Sequence, residues 1–182
     1  MEEALHQLKT ERAQELMDSL GLTKEIIHET LDMKIEECKT SIKSYEKKLV
    51  GVSMDRLNFA IMMRMIPQED LESMHEPGSA VRTKEKMDLM IKDLEYHTIH
   101  ARLTIRWFGM FKELIGVPRT EEYLLIQRKL KICQDCMVKN FMDIEDTMRE
   151  LIDYNNYYTE GDYVKHMKNL KDEIKYWEGF IM

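Results

Sequence analysis

The sequence MFKELIGVPRTEEYL, residues 110–124, contains the clearest corner in the chain. An apolar helical pattern ends at Gly116 and Pro118, and Glu121 and Glu122 open a new pattern at once. Glycine accepts the backbone conformation that ends a helix, and proline cannot continue one. Acidic residues are favoured in the first turn of a helix, where backbone N–H groups are free. The stretch therefore predicts two consecutive helices joined by a tight corner.

A similar corner occurs earlier, in LMDSLGLTKEIIHETL at residues 16–31. Gly21 suits the position that follows a helix end, and Thr23 can cap the next helix with its hydroxyl group. That next helix carries an apolar seam with steps of three and four residues, which is a nearly unbroken heptad pattern. The sequence leaves open whether Gly51 interrupts the helix. The seam consists of Ile27, Leu31, Ile35, Cys38, Ile42, Tyr45 and Leu49.

Composition excludes an all-β fold. The 182 residues include only 7 Gly and 3 Pro, too few for frequent turns, whereas 34% are charged and 16 are Met. Such a composition is typical of long amphipathic helices and coiled coils. We therefore predict an all-α fold of elongated antiparallel helical hairpins, a coiled-coil rod with an N-terminal dimerisation hairpin. The expected units are the hairpin at 1–66, a loop at 67–79, and a rod at 80–182.

The rod is expected to contain helices near 80–115, 121–152 and 162–179, the first of them capped by Ser79 or Thr83. Counted as the roughly 32 residues that follow Thr83, the first would be roughly 48 Å long. It carries two apolar stripes, so it should be covered on two sides. We expect the core of the rod to include Leu94, Phe108, Leu130, Met137 and Ile144.

Charge and cysteine usage limit the partners and the compartment. A net charge of −7 makes nucleic acid and anionic membranes unexpected partners, since both attract basic surfaces. No apolar run approaches the ~18 residues of a membrane span, and the N-terminus lacks the pattern of a signal peptide. Three cysteines do not form a disulfide framework. A reducing compartment is the simplest interpretation.

The C-x-x-C sequence from Cys133 to Cys136 is the first candidate for chemistry. A zinc site needs further ligands at a suitable spacing, and a redox motif needs a βαβ context. The sequence provides neither. Cys133 also lies in the apolar seam of its helix, so we interpret it as a small core residue.

Three Glu-x-x-His pairs resemble half of a di-iron site, which needs two such motifs inside a bundle plus two further Glu. The pairs are Glu3/His6, Glu25/His28 and Glu72/His75, and chance accounts for them because Glu is common. His97 is interpreted as a polar seam residue and His100 as its exposed neighbour. No glycine-rich phosphate loop or G-x-S-x-G motif occurs. We predict no catalytic residue, no cofactor and no metal site, and hence a protein that is not an enzyme.

The order of these segments resembles the N-terminal half of the spindle-midzone microtubule crosslinkers, the protein-regulator-of-cytokinesis family. A helix ends at Leu16-Met17 and Leu20-Gly21-Leu22-Thr23, and the acidic helix LDMKIEECKTSIKSYEKKL follows. The Pro-rich acidic loop IPQEDLESMHEPGS, the second corner at 110–124 and the helix RKLKICQDCMVKNFMDIEDTMRELIDYNNYYT complete the likeness. Met17 and Thr23 depart from the Trp and Pro that are usual in that family.

The resemblance implies a homodimerisation and partner-docking segment of a microtubule-bundling protein that acts in cytokinesis. It implies antiparallel pairing of two chains, and partners at the midzone such as kinesins or centralspindlin. Microtubules would be bound only by a region beyond Met182, and the location would be the cytoplasmic cytoskeleton at the spindle midzone. The dimer contact is expected at Leu5, Leu8, Leu16, Leu20, Ile27, Leu31, Ile35 and Ile42.

Two alternatives remain open at this stage. The first is a generic helical scaffold, adaptor or effector bundle, which would be a compact monomer. The second is a ferritin-like metal-binding protein. In addition, the eight expected contact residues could instead hold the chain's own hairpin together, so that Leu20→Asp or Leu31→Asp would unfold the chain and not split a dimer.

Overall fold

The computed structural model describes residues 21, 23–67, 69–70, 78–115, 120–154 and 157–178. Its helices are α1 (Lys24–Met65), α2 (Ser79–Leu114), α3 (Glu121–Ile152) and α4 (Glu160–Glu178). No strand occurs within these ranges, which confirms the all-α prediction for the part of the chain that is described. The helices α2, α3 and α4 begin and end within two residues of the positions expected from the sequence.

Helix α1 starts at the predicted cap. The backbone N–H of Ile26 donates a hydrogen bond of 3.2 Å to the Thr23 hydroxyl oxygen. Gly21 adopts a left-handed φ of 66°, the conformation predicted for it. The helix then runs through Gly51 without a break for 42 residues, a length of about 63 Å. It ends before Pro67, whose ring prevents a further helical hydrogen bond.

Helix α2 starts differently from the prediction. Its N-cap is Gly78, with a left-handed φ of 84° and no side-chain hydrogen bond. A left-handed backbone favours glycine, so the residue type follows from the turn geometry. The expectation of a cap by Ser79 or Thr83 is therefore wrong. Ser79 is the first helical residue, and the Thr83 hydroxyl donates to the Ser79 carbonyl at 2.9 Å inside the helix.

Helices α1 and α2 pack side by side in opposite directions. Three ion pairs link them, and the residue numbers fall along α2 as they rise along α1. Exposed ion pairs contribute only about 0–1 kcal/mol each, so they indicate the register more than they stabilise it. The pairs are Asp32 with Lys112, Glu46 with Arg102 at 2.9 Å, and Arg56 with Asp88 at 2.6 Å.

Helix α3 packs on another side of α2, again in the opposite direction. Its side chains reach α2 at three successive levels, so α2 is covered by both α1 and α3, as its two apolar stripes predicted. The contacts are Cys133 Sγ to the Leu103 carbonyl at 3.5 Å, Asn140 Nδ2 to the Tyr96 carbonyl at 2.9 Å, and Thr147 Oγ1 to Asp93 Oδ1 at 3.4 Å.

The main core lies where α1, α2 and α3 meet, near the N-terminus of α1. A second, smaller cluster joins α3 to α4 through Ile144, Met148 and Met167. None of the helices described here is long and apolar enough to cross a membrane. The main core consists of Ile27, Leu31, Trp107, Phe108, Phe111, Leu114, Ile126, Leu130, Cys133 and Met137.

A substitution at Leu31 can test the packing of α1, α2 and α3, because the Leu31 side chain is fully buried between these helices. We expect Leu31→Ala to lower the free energy of unfolding by about 2–5 kcal/mol, through lost burial and the cavity that remains. Urea denaturation followed by circular dichroism measures the effect. Met33→Ala is the matched control, because Met33 lies on the same helix with 60% of its surface exposed. Equal losses in the two variants would contradict the packing.

Candidate functional site

The C-terminal half of α1 carries an exposed apolar stripe. Its residues recur at steps of four, three, four and four, so they lie along one side of the helix. Between 47% and 78% of each side chain is exposed. Five large apolar side chains in one exposed row are typical of an interaction surface. We call Val50, Met54, Leu57, Ile61 and Met65 the α1 stripe.

The other side of the same helix segment faces α2. Phe59 and Met63 are half-buried there, and Arg56 pairs with Asp88 across the contact. In the heptad frame of the α1 stripe, the flanking positions are small and uncharged: Gly51, Ser53, Asn58 and Ala60. A second helix could therefore approach the stripe closely and without charge repulsion.

The residues predicted for the dimer contact have different positions in the fold. Leu5, Leu8, Leu16 and Leu20 lie outside the described residues. Ile27 and Leu31 are buried in the chain's own core, with 5% and 0% of their surface exposed. Ile35 packs against that core, and Ile42 is half-buried. In this fold Ile27 and Leu31 have almost no surface for a second copy. Their positions match the alternative, in which they hold the single chain together.

The five predicted core residues of the rod, Leu94, Phe108, Leu130, Met137 and Ile144, are all buried. Cys133 of the C-x-x-C sequence is buried among them, and Cys136 is exposed. Burial raises the pKa of the Cys133 thiol, which disfavours the reactive thiolate. The geometry therefore fits the interpretation of Cys133 as a core residue.

Of the three Glu-x-x-His pairs, only Glu25/His28 lies in the described part of the chain. Glu3, His6, Glu72 and His75 lie outside it. Glu25 is exposed in the first turn of α1, and His28 is half-buried one turn further on. These positions provide no di-iron geometry among the described residues.

A buried polar cluster lies between α2, α3 and α4, and the sequence did not predict it. At its centre the carboxyl group of Asp93 is fully buried. Tyr158 donates a hydrogen bond of 2.7 Å to one carboxyl oxygen, and Thr147 donates one of 3.4 Å to the other. His97 Nδ1 lies 2.8 Å from the Asp93 carbonyl oxygen and 3.3 Å from the carboxyl group. We call these residues, with His166, the Asp93 cluster.

The Asp93 cluster shifts the acidity of its members. Burial alone would lower the pKa of His97, but hydrogen bonds to Asp93 and its charge outweigh burial, so the net shift is upward. Burial lowers the pKa of His166, and the nearby His97 adds to the effect. Burial and Asp93 together raise the pKa of Tyr158, which therefore stays a hydrogen-bond donor. His97 Nε2 lies 3.1 Å from His166 Nε2, so the cluster links α2 to α4.

His100 is buried and not exposed as the sequence suggested, with 9% of its surface accessible. It lines a cavity of about 20 Å³ together with Thr104, Trp107 and Phe108. Its Nδ1 has no hydrogen-bond partner among the described residues. Burial lowers the pKa of His100 to about 4, with the neighbouring His97 and His166 as further causes. The two apolar stripes on α2 indicated that two helices cover it, and this was the signal in the sequence that could have predicted the burial of His100.

Comparison with protein-family models, with curated proteins and with solved structures finds no match to this chain.

The pKa of His100 predicts a loss of stability in acid. A base whose pKa is lower in the folded chain favours folding in its neutral form, so its contribution is complete above the unfolded pKa of 6.5 and is lost as the pH falls toward 4. The lowered pKa of His166 acts in the same direction, and the raised pKa of His97 acts against it. His100 alone should lower the free energy of unfolding by about 2 kcal/mol between neutral pH and about pH 5.

His100→Leu removes the titrating group and keeps an apolar side chain of similar size beside Trp107 and Phe108. We expect urea melts of this variant to lose about 2 kcal/mol less than the natural chain over the same pH interval. A parallel decline in the two proteins would contradict the assignment to His100.

Proposed function

We propose that this chain is a non-catalytic segment for self-association and partner docking, and that the α1 stripe is its contact surface. The observation that carries the proposal is the row of five apolar side chains exposed on α1, opposite the side that packs on α2. Ordinary exposed apolar residues are scattered singly over a surface. A helical row of this kind needs a partner helix to remove it from water.

The partner that we propose is a second copy of the chain, paired antiparallel. We place the twofold axis of the antiparallel pair between Leu57 and Asn58. Met54 of one copy then lies opposite Ile61 of the other, and Val50 lies opposite Met65. The two Leu57 side chains flank the twofold axis, each beside Asn58 of the other copy, as the self-complementary surface of a symmetric dimer allows. Arg64 of one copy then lies opposite Gly51 of the other, where an added Cβ would meet no atom within 4 Å.

The expected affinity is modest. Each side chain of the stripe still exposes roughly half of its surface or more, so its further burial contributes about 1 kcal/mol. Ten such side chains, five from each copy, contribute about 10 kcal/mol, whereas association costs about 4–15 kcal/mol. The stripe alone therefore supports a weak dimer, and contacts from other parts of the chain would strengthen it.

From the resemblance to the midzone crosslinkers, we propose that the self-associating segment acts in microtubule bundling during cytokinesis. An elongated coiled-coil rod that pairs antiparallel through the α1 stripe would set the spacing between two filaments, and midzone proteins such as kinesins or centralspindlin would dock on it. Microtubules would be bound only by a region outside this chain, and the location would be the cytoplasmic cytoskeleton at the spindle midzone. The net charge of −7 supports a segment that does not contact the acidic surface of tubulin.

The first test measures mass and radius by light scattering after size exclusion, at concentrations up to about 100 µM because the dimer is weak. We expect a mass approaching twice 21.8 kDa and an elongated radius. Leu57→Asp should give a monomer, since it places two carboxylates together at the twofold axis. Ile132→Asp, a change at another exposed apolar side chain on α3, is the control and should leave the dimer intact.

Circular dichroism must show that both variants remain helical. A compact monomer of the natural chain at every concentration would remove the proposed function and favour the generic helical scaffold. A dimer that survives Leu57→Asp would refute the α1 stripe as the contact.

Cysteine cross-linking tests the antiparallel register, in a background that lacks Cys38, Cys133 and Cys136. We expect a disulfide when chains with Met54→Cys are mixed with chains with Ile61→Cys. Met54→Cys alone should not cross-link, because antiparallel pairing leaves the two thiol positions roughly 10 Å apart along the axis, beyond the reach of a disulfide. Efficient cross-linking of Met54→Cys alone would indicate parallel pairing instead.

A further inference from the structure

His97 on α2 and His166 on α4 point their Nε2 atoms at each other across 3.1 Å. The ring centroids are 5.1 Å apart, with the planes tilted by 41°. Two imidazole nitrogens at this separation can hold one cation between them, either a proton or a metal ion. The groups around the two imidazole rings decide whether the pair holds a proton or a metal ion.

The surroundings of His97 fix its tautomer. Its Nδ1 lies 2.8 Å from the Asp93 carbonyl oxygen, an acceptor, so Nδ1 carries the hydrogen and donates it. In the neutral ring Nε2 then carries the lone pair, 3.1 Å from His166 Nε2. Asp93 is held in place in turn by the hydroxyl groups of Tyr158 and Thr147. A histidine oriented through its second nitrogen by a carbonyl or carboxyl group is the usual arrangement around a protein-bound metal.

We propose that His97 and His166 form a binding site for Zn²⁺ or a similar divalent transition metal that prefers imidazole ligands. With metal–nitrogen distances of 2.0–2.1 Å, an Nε2–Nε2 separation of 3.1 Å corresponds to a ligand–metal–ligand angle of about 100°, close to tetrahedral. Cu²⁺ and Ni²⁺ accept the same ligands. The buried carboxyl group of Asp93 places negative charge near the bound cation.

The remaining coordination positions belong to solvent. No group of three His, Cys, Asp or Glu within the described ranges is close enough to form a larger ligand set. His166 is only half-buried, so water reaches this side of the site. Two imidazole ligands, with the positive charge of Lys48 acting on His97, bind a metal ion more weakly than the four protein ligands of a structural zinc site.

A metal at this position would tie α4 to the rest of the fold. Contacts between α4 and α3 centre on Met167 and on the hydrogen bond from Tyr163 to Glu145. A metal bridge from His97 to His166 would replace the 3.1 Å contact that joins α4 to the central helix α2 by two metal–nitrogen bonds. His97 and His166 lie on α2 and α4, so metal binding there does not depend on self-association through the α1 stripe.

The test uses the natural chain and Zn²⁺ as the probe. Isothermal titration calorimetry should give one Zn²⁺ per chain, and saturation at about a hundred times Kd should raise the melting temperature by about 5 °C or more. His166→Gln, which keeps a hydrogen-bonding side chain, should abolish both effects. Cys136→Ser and His28→Gln are the controls and should retain them.

The absence of binding at millimolar Zn²⁺ would overturn the proposal and leave a shared proton as the occupant of the pair. Binding that persists in His166→Gln would also overturn it, because the metal would then lie elsewhere. If His166→Gln is less stable than the natural chain, the titration is run below the melting temperature of the variant, where the variant is folded. Loss of the calorimetric signal under that condition still shows that His166 binds the metal.

Discussion

The fold depends on one constraint, that α2 is covered on two sides. Most surface helices bury one stripe and leave the rest to polar residues, but α2 packs on α1 and on α3 and therefore buries polar groups as well. Thr98 and Thr104 meet this constraint locally, since each hydroxyl donates to the carbonyl four residues earlier, at 2.8 Å. A buried donor is thus satisfied without a partner from another helix.

Asp93 meets the same constraint with partners from elsewhere in the chain. Its carboxyl group accepts hydrogen bonds from α3 and from Tyr158, while His97 lies beside it one turn further along α2. A buried ionisable group is seldom a source of net stability, but it penalises every arrangement in which its partners are misplaced. We interpret the Asp93 cluster as the feature that selects one register between α2, α3 and the segment leading into α4.

Local signals in the sequence predicted the local structure well. The Thr23 cap, the left-handed Gly21 and the limits of three helices follow from capping chemistry and apolar periodicity, which act over a few residues. The Asp93 cluster could not be predicted, because its members are separated by up to 73 residues and meet only after three helices have packed. Apolar periodicity also could not decide whether a seam packs inside one chain or contacts a second chain. Ile27 and Leu31 have the spacing of a dimer contact, yet they pack inside one chain.

The long, unbroken α1 has two halves in different surroundings. The first half is embedded in the main core beside Leu31, whereas the second half contacts α2 on one side and has the α1 stripe in water on the other. Local opening of a helix follows the number of apolar contacts that hold it. Backbone amides near Leu57 should therefore exchange their hydrogens with solvent sooner than those near Leu31, and a second chain lying on the stripe would slow that exchange selectively. Hydrogen exchange along this single helix thus reports whether the stripe is covered.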